Sequence, residues 1–386
     1  MTTQTTTNSG VDDTIATHRI TINAIALARN YRLLAARAAP ARCAAVVKAD
    51  GYGLGIEYIV PVLLAAGCDR FFVAYPQEGL AVRALAPKAE IFVLGGIFPE
   101  ALPVLLEARL IPVLSAFEQI EPWARLQKER GVRLVSAIHV DTGMNRMGLS
   151  VAEATIFAQF NDRAGFIAPV LVMSHLACSD EPDHPLNRQQ LEAFQQVAAA
   201  FPETESSLAA SSGIFLGADY HFDMVRPGIA LYGGNPTTGR PNPMTAVATC
   251  EARVLQVRDV AAGQPVSYGA TAVTSRDSRI ATVGVGYADG FHRASSGSGV
   301  PVRNVQATGG QGFIAGQRVP VIGRVTMDMT MFDVTDLPAT AVKTGHWLEL
   351  SGENIKLDDA AGAAGTISYE MLTSLGRRAA RRLADS

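Results

Sequence analysis

CAAVVKADGYGLGIEYIVPVLLAAGCDRFFVAY (43–75) holds, in one stretch, the repeat from which the architecture follows. A short β-rich run, CAAVVK (43–48), meets a Gly-rich turn. An apolar, helix-like segment, IEYIVPVLLAAG (56–67), follows and stops at glycine, and a second β-rich run, RFFVAY, begins at residue 70. Strand, crossover helix and strand make the unit of a parallel sheet. Outward from this unit, strand-like runs recur as EIFVLG (90–95), LIPVL (110–114), RLVSAIHV (133–140), APVLVMSH (168–175), SSLAA (206–210) and DMVRPG (223–228). Helical stretches such as PQEGLAVRALA (76–86), FEQIEPWARLQKERG (117–131) and LNRQQLEAFQQVAAAF (186–201) lie between them, most ending at Gly, Asn or Pro. Eight alternations over ~200 residues suit a closed (β/α)8 barrel of the TIM type. An open doubly wound sheet is the alternative that strand counting leaves standing.

After about residue 245 the pattern changes. ATCEARVLQVRDV (248–260), QPVSYGATAVTS (264–275), SRIATVGVGYADG (278–290), GFIAGQRVPVIGR (312–324), MTMFDVT (329–335) and GHWLELSG (345–352) are short β-rich runs with Gly-centred turns. ISYEMLTSLGRRAARRLADS (367–386) reads as a closing helix-like piece, and NPTTGRPNPM (235–244) as the linker. The expected organisation is α/β: a polar lead-in (1–16), a barrel (17–243) and a mainly β C-terminal domain (244–386).

Composition narrows the partners. The chain has 386 residues, 33 Lys+Arg against 36 Asp+Glu, and a net charge of −3. With 48% hydrophobic and 18% charged residues it is globular rather than disordered. A pI near 6.2 without any basic block argues against nucleic acid or an anionic membrane as principal partner. No apolar run approaches the ~18 residues of a membrane span. The four cysteines (43, 68, 178, 250) are scattered without zinc or redox spacing, so no metal site is expected, and free thiols point to a reducing compartment. The N-terminus lacks the basic and apolar regions of a signal peptide, and the expected location is cytoplasmic.

Chemistry concentrates at strand ends. Lys48 closes the first strand of VVKADGYGLG (46–55), where a barrel keeps its catalytic residues. Desolvation there lowers a lysine's pKa, as imine formation requires. The ordinary alternative is a strand-end lysine reaching solvent. Glycines 51, 53 and 55 read G-x-G-x-G, which is not the dinucleotide fingerprint. Arg146 follows the fifth strand in HVDTGMNRMG (139–148), His175 ends the sixth, Ser211 and Ser212 end the seventh, and Arg226 sits in MVRPGIALYGG (224–234) at the eighth. Each alone has a structural explanation, but together they gather at one barrel face. The seventh and eighth βα loops of such barrels often bind phosphate. An imine-forming lysine beside a phosphate cradle suggests pyridoxal phosphate.

At this point the chain resembles the alanine racemase family, over about residues 17–380. The resemblance rests on VVKADGYGLG, HVDTGMNRMGL, MSHLACSD, MVRPGIALYG, VSYGATA, VGYADG, GRVTMDMTMFDV and TISYEMLTSLGRR, in that order. It implies a barrel that binds pyridoxal phosphate, a β domain, and a head-to-tail homodimer whose sites are shared between chains. By motif, Lys48 resembles the cofactor-binding lysine and base for D-alanine, and Tyr268 the opposing base for L-alanine, supplied by the partner chain. Tyr52, Ser212, Gly228, Ile229 and Tyr369 match the phosphate-binding set. Arg226 matches the arginine facing the pyridine nitrogen, and His175 its support. Arg146 matches a residue near the cofactor's phenolic oxygen and the substrate carboxylate, and Met327 a partner-chain carboxylate contact through its N–H. Tyr287 and Asp328 fit supporting and entrance positions. The chain departs from the family at His139, where many members carry a lysine that becomes carbamylated, and at Leu54 and Ser211, where His and Asn are common. The other readings are a pyridoxal-phosphate decarboxylase and a non-enzymatic barrel that binds the cofactor. The first needs a catalytic cysteine in the β domain, where only Cys250 stands, at the domain's start; the second lacks a β domain.

Overall fold

Backbone hydrogen bonds decide between the barrel and the open sheet. The computed structural model describes residues 14–164, 166–302 and 305–384, so most of the expected lead-in lies outside the described residues. Seven strands pair in parallel in sequence order: Ala45–Val46, Arg70–Val73, Glu90–Val93, Ile111–Leu114, Val135–Asp141, Ala168–Met173 and Glu205–Ser207. The eighth, Met224–Val225, pairs in parallel with Arg42–Cys43, the beginning of the first strand. On its other side the Asp223 N–H donates to the Ser206 carbonyl (3.0 Å) and the Arg226 N–H to the Ala209 carbonyl (2.9 Å). The eighth strand therefore joins the seventh to the first, and the ring closes without the free edges of an open sheet.

Six crossovers are α-helical: Ile56–Ala65, Pro76–Leu85, Leu102–Glu107, Phe117–Arg130, Val151–Ala164 and Pro185–Ala200. After the seventh and eighth strands the chain makes only 3-10 turns, at Ser212–Phe215, Ala218–Tyr220 and Ile229–Tyr232. The helix Ala24–Ala38, which precedes the barrel strands, fills that gap. Its buried Asn30 amide donates to the carbonyls of Leu231 (3.1 Å) and Thr245 (2.8 Å), tying it to the chain leaving the barrel.

The C-terminal domain is built on the thirteen-residue strand Ala248–Val260. It pairs antiparallel with Ser278–Val283 and Trp347–Ser351. Two sequence expectations change here. The expected barrel unit includes residues 17–23, but the strand His18–Asn23 pairs antiparallel with Ala248–Val260 and parallel with Ala380–Ala384. The expected closing helix runs only over Ser368–Thr373, and Ala380–Ala384 is a strand. Both errors have one cause. Strand pairing between residues hundreds of positions apart overrides local pattern.

Candidate active site

The chain after the first barrel strand does not continue as an ordinary helix. Ala49, Asp50, Gly51, Tyr52 and Gly53 all have positive φ, between 53° and 80°, so they form a left-handed turn directly after Lys48. Such a run costs about 1–2 kcal/mol per non-glycine residue and persists only when its surroundings impose it. The surroundings are visible. The Gly51 N–H donates to the Val47 carbonyl (3.0 Å) and the Gly53 N–H to that of Ala49 (2.8 Å). A Cβ at Gly53 would overlap the Leu372 carbonyl, so only glycine lets the helix Ser368–Thr373 approach this closely.

Lys48 is half-buried, and its pKa is lowered by burial and by Arg146, with Glu78 acting in the opposite direction. Arg226 is buried. Its guanidinium donates to the Ser174 carbonyl (2.6 Å) and to the Ser207 hydroxyl, with Phe72 5.9 Å beneath. Burial lowers its pKa to about 9, which still leaves it protonated at neutral pH. His175 is pushed down to about 3 and His139 to about 4, in both by burial first and then by Arg226. Both imidazoles are therefore neutral among three cationic side chains. Among the described residues no hydrogen bond joins the His175 ring to Arg226. The support expected from that ring comes instead from Ser174 and Ser207.

Opposite Lys48 the chain builds a cradle. The Ser211 hydroxyl accepts from the N–H groups of Gly228 (2.9 Å) and Ala230 (3.2 Å), so the serine standing where the family often has Asn orients the turn that starts at Ile229. Ser212, next to Ser211, and Ile229, at the start of this turn, are both buried. A Cβ at Gly228 would overlap the Tyr52 hydroxyl. The Tyr52 ring stacks on Tyr232 at 4.6 Å and lies 6.1 Å from Tyr369. The Tyr232 hydroxyl donates to the Val46 carbonyl (2.9 Å), two residues before Lys48. Burial raises the pKa of Tyr52 and takes that of Tyr369 to about 12, so both phenols are neutral donors. A compact group with several negative charges fits here, between the neutral hydroxyl cradle and the cations Lys48, Arg146 and Arg226.

Arg146 is exposed, in a loop shaped by Asp141, whose carboxylate accepts from Gly143 (2.8 Å) and Met144 (2.9 Å) N–H. The remaining expected residues lie on the β domain. Tyr268 is 71% exposed in a turn where the flanking Ser267 has φ +67°, and its ring makes no hydrogen bond to the barrel mouth among the described residues. Tyr287 and Met327 are also exposed. Asp328 pairs with Arg378 (2.8 Å), which also clasps the buried Asp289 at 2.7 and 2.9 Å. A single chain thus brings together Lys48, Tyr52, Arg226 and the cradle, but not Tyr268 or Met327. Cys250 is buried mid-sheet with its thiol pushed up to about 11, mainly by burial, which is no setting for a catalytic cysteine. Sequence reading missed Tyr232, Ser174, Ser207 and Glu78. Tyr232 stood inside a quoted motif, but its stacking partner is 180 residues away.

Comparison with known proteins agrees with this geometry. A model of the alanine racemase N-terminal domain matches residues 22–236, and one of the C-terminal domain matches 247–383. The alanine racemase of Rhizobium meliloti is 52% identical over 363 residues, covering 94% of this chain and 96% of that protein. A biosynthetic alanine racemase of Agrobacterium fabrum is 51% identical, covering 94% and 93%. Among solved structures, the alanine racemase of Bartonella henselae with covalently bound pyridoxal phosphate superposes with a TM-score of 0.88 at 39% identity, covering 96% of this chain and all of that one. Matched in both domains and along nearly its whole length, the chain belongs to the alanine racemase family.

Proposed function

We propose that the chain interconverts L- and D-alanine with pyridoxal 5'-phosphate as cofactor, using one base on each face of the substrate. The observation that carries the reading is Lys48, held by a left-handed turn at the mouth of a closed barrel, with its proton affinity lowered by burial and Arg146. The cofactor's anionic character suits the hydroxyls of Tyr52, Ser212 and Tyr369 and the backbone at Gly228 and Ile229, where glycine leaves room for the Tyr52 hydroxyl, together with the cations around them. When bound, it supplies the electron sink that makes the alanine α-hydrogen acidic.

The chain's own groups do the rest. Lys48 attaches the cofactor and takes the α-proton on the D face. Tyr268 serves the L face, and Arg146 and the Met327 N–H hold the substrate carboxylate. Arg226, directed by Ser174 and Ser207, stays protonated and would keep its proton rather than transfer it to a ring nitrogen of the cofactor, and His175 stays neutral beside it. A weaker electron sink favours simple return of the proton over transamination.

The site is completed by a second copy of the chain. Tyr268, Met327 and Tyr287 are 71%, 54% and 41% exposed, which suits residues that a partner barrel covers. A cytoplasmic location accords with four unpaired thiols. The product serves either peptidoglycan supply or alanine catabolism. Incubating the purified protein with L-alanine, followed by chiral analysis, should yield a racemic mixture without CO2 or amine. Borohydride should fix the cofactor on Lys48. Label on another residue, or a decarboxylated product, overturns the reading.

A further inference from the structure

Glu78 lies on the helix Pro76–Leu85, which follows the second barrel strand. At the third helical position a glutamate ordinarily reaches back to the N-cap N–H, and Glu78 does so at 3.3 Å to Tyr75. That bond is the weakest of three. One carboxylate oxygen accepts from the Ala74 N–H at 2.6 Å, at the end of the second barrel strand. The other accepts from the Ala49 N–H at 2.7 Å. Ala49 is the residue directly after Lys48 and the first of the left-handed turn. Helix capping does not require a bond to a turn 29 residues earlier.

From this bridge we infer that Glu78 is a positioning residue for the reaction: its carboxylate anchors the left-handed turn to the second strand and so sets the place and charge environment of the Lys48 amine. The inference rests on the reading of Lys48 as the cofactor-binding base. The far end of the turn is anchored separately, where Arg381 donates to the Gly53 carbonyl at 3.0 Å. Between these two anchors the strained residues are held at both ends. Glu78 is also the anion that acts on Lys48, against Arg146 and with His175 close by in neutral form. Removing its charge therefore makes the lysine ammonium harder to keep, not easier.

Three substitutions separate this role from mere capping. Glu78→Gln keeps the shape but loses the charge and sets an NH2 group against one backbone donor. Glu78→Ala removes both acceptors. Glu153→Gln is the control, since Glu153 caps the helix Val151–Ala164 through the Ser150 N–H (2.8 Å) without touching the turn. In holoenzyme, Glu78→Ala should lower kcat about 100-fold, the scale of a displacement near 1 Å at a reacting group. Glu78→Gln should lower kcat less and move the acid limb of kcat for D-alanine to lower pH. In both, hydrogen–deuterium exchange of the segment 49–55 should accelerate, while Glu153→Gln changes none of these. Unchanged kcat, acid limb and exchange in both Glu78 variants overturn the inference, as does a loss of thermal stability alone. Lys48→Ala is run beside them. If it retains activity, the reading of Lys48 fails; if it is dead while the Glu78 variants match wild type, only the role of Glu78 fails.

Discussion

In the proposed reading the barrel mouth and the exposed face of the β domain carry the two halves of one chemistry, and they are built in opposite ways. Around Lys48 the backbone is strained, Lys48, Tyr52 and Arg226 are buried or half-buried, and hydrogen bonds fix the turn and the strand before it. Around Tyr268 the ring stands in water on a short turn, beside the equally exposed Tyr287 and Met327. Only the first half is organised within one chain. Preorganisation matters most where a lysine must lose its proton in a site that excludes water. A phenol delivered by a partner can be positioned by the interface that brings it.

The strongest test of this contrast separates the halves. Lys48→Ala and Tyr268→Phe homodimers should each lose activity by at least about 10²–10⁴-fold, the range for removing a positioned base. After subunit exchange a heterodimer holds one doubly defective site and one intact site, so activity should return toward about half that of a normal dimer. Heterodimers that form but stay inactive would put both residues in the same chain. In D2O, Tyr268→Phe should still exchange the α-hydrogen of D-alanine while scarcely exchanging that of L-alanine; the reverse preference would swap the two faces.

A second experiment probes the buried half alone. Gly228→Ala drives a methyl group into the Tyr52 hydroxyl, itself pinned by Tyr232. Overpacking of this kind costs about 1–3 kcal/mol. Cofactor dissociation, followed by equilibrium dialysis, should rise about ten- to hundredfold, with the dimer intact. Wild-type affinity in this variant would show that the cradle is not where the cofactor's phosphate sits.

A last effect, which leaves the catalytic groups untouched, is on stability. Burial, above all, holds His139 near a pKa of about 4 and His175 near about 3 at the barrel mouth, and His18 near about 4 inside the β domain's sheet. The ordinary value is 6.5, so below about pH 6.5 the unfolded chain takes up protons that the fold refuses. Stability should therefore fall as pH drops from 6.5 toward 4, by up to about 1.4 kcal/mol per pH unit for each histidine. Urea midpoints at pH 7 and pH 5 measure it, and His139→Gln should flatten the slope. Equal midpoints would mean that these rings are protonated in the fold. Nothing comparable is expected on the β-domain face, where Tyr268 and Met327 are already in water.

Much of this was legible in the residues themselves. The alternation beginning at 43–75, the change to β-rich runs after 245, and Lys48 at a strand end all follow from local periodicity and turn residues, which depend on neighbours a few positions away. The family motifs pointed to Tyr52, Arg226 and Tyr268 for the same reason: each is read in a short window. What the tertiary structure alone decided involves pairs far apart in the chain. The ring closes through hydrogen bonds between 42–46 and 223–227. His18–Asn23 and Ala380–Ala384 are strands because they pair with each other across some 360 residues. Ser174 and Ser207, rather than His175, hold Arg226, and Glu78 reaches the turn behind Lys48. No local window contains these contacts, since hydrogen bonding and strain are satisfied in space and only the closed fold brings both partners within reach.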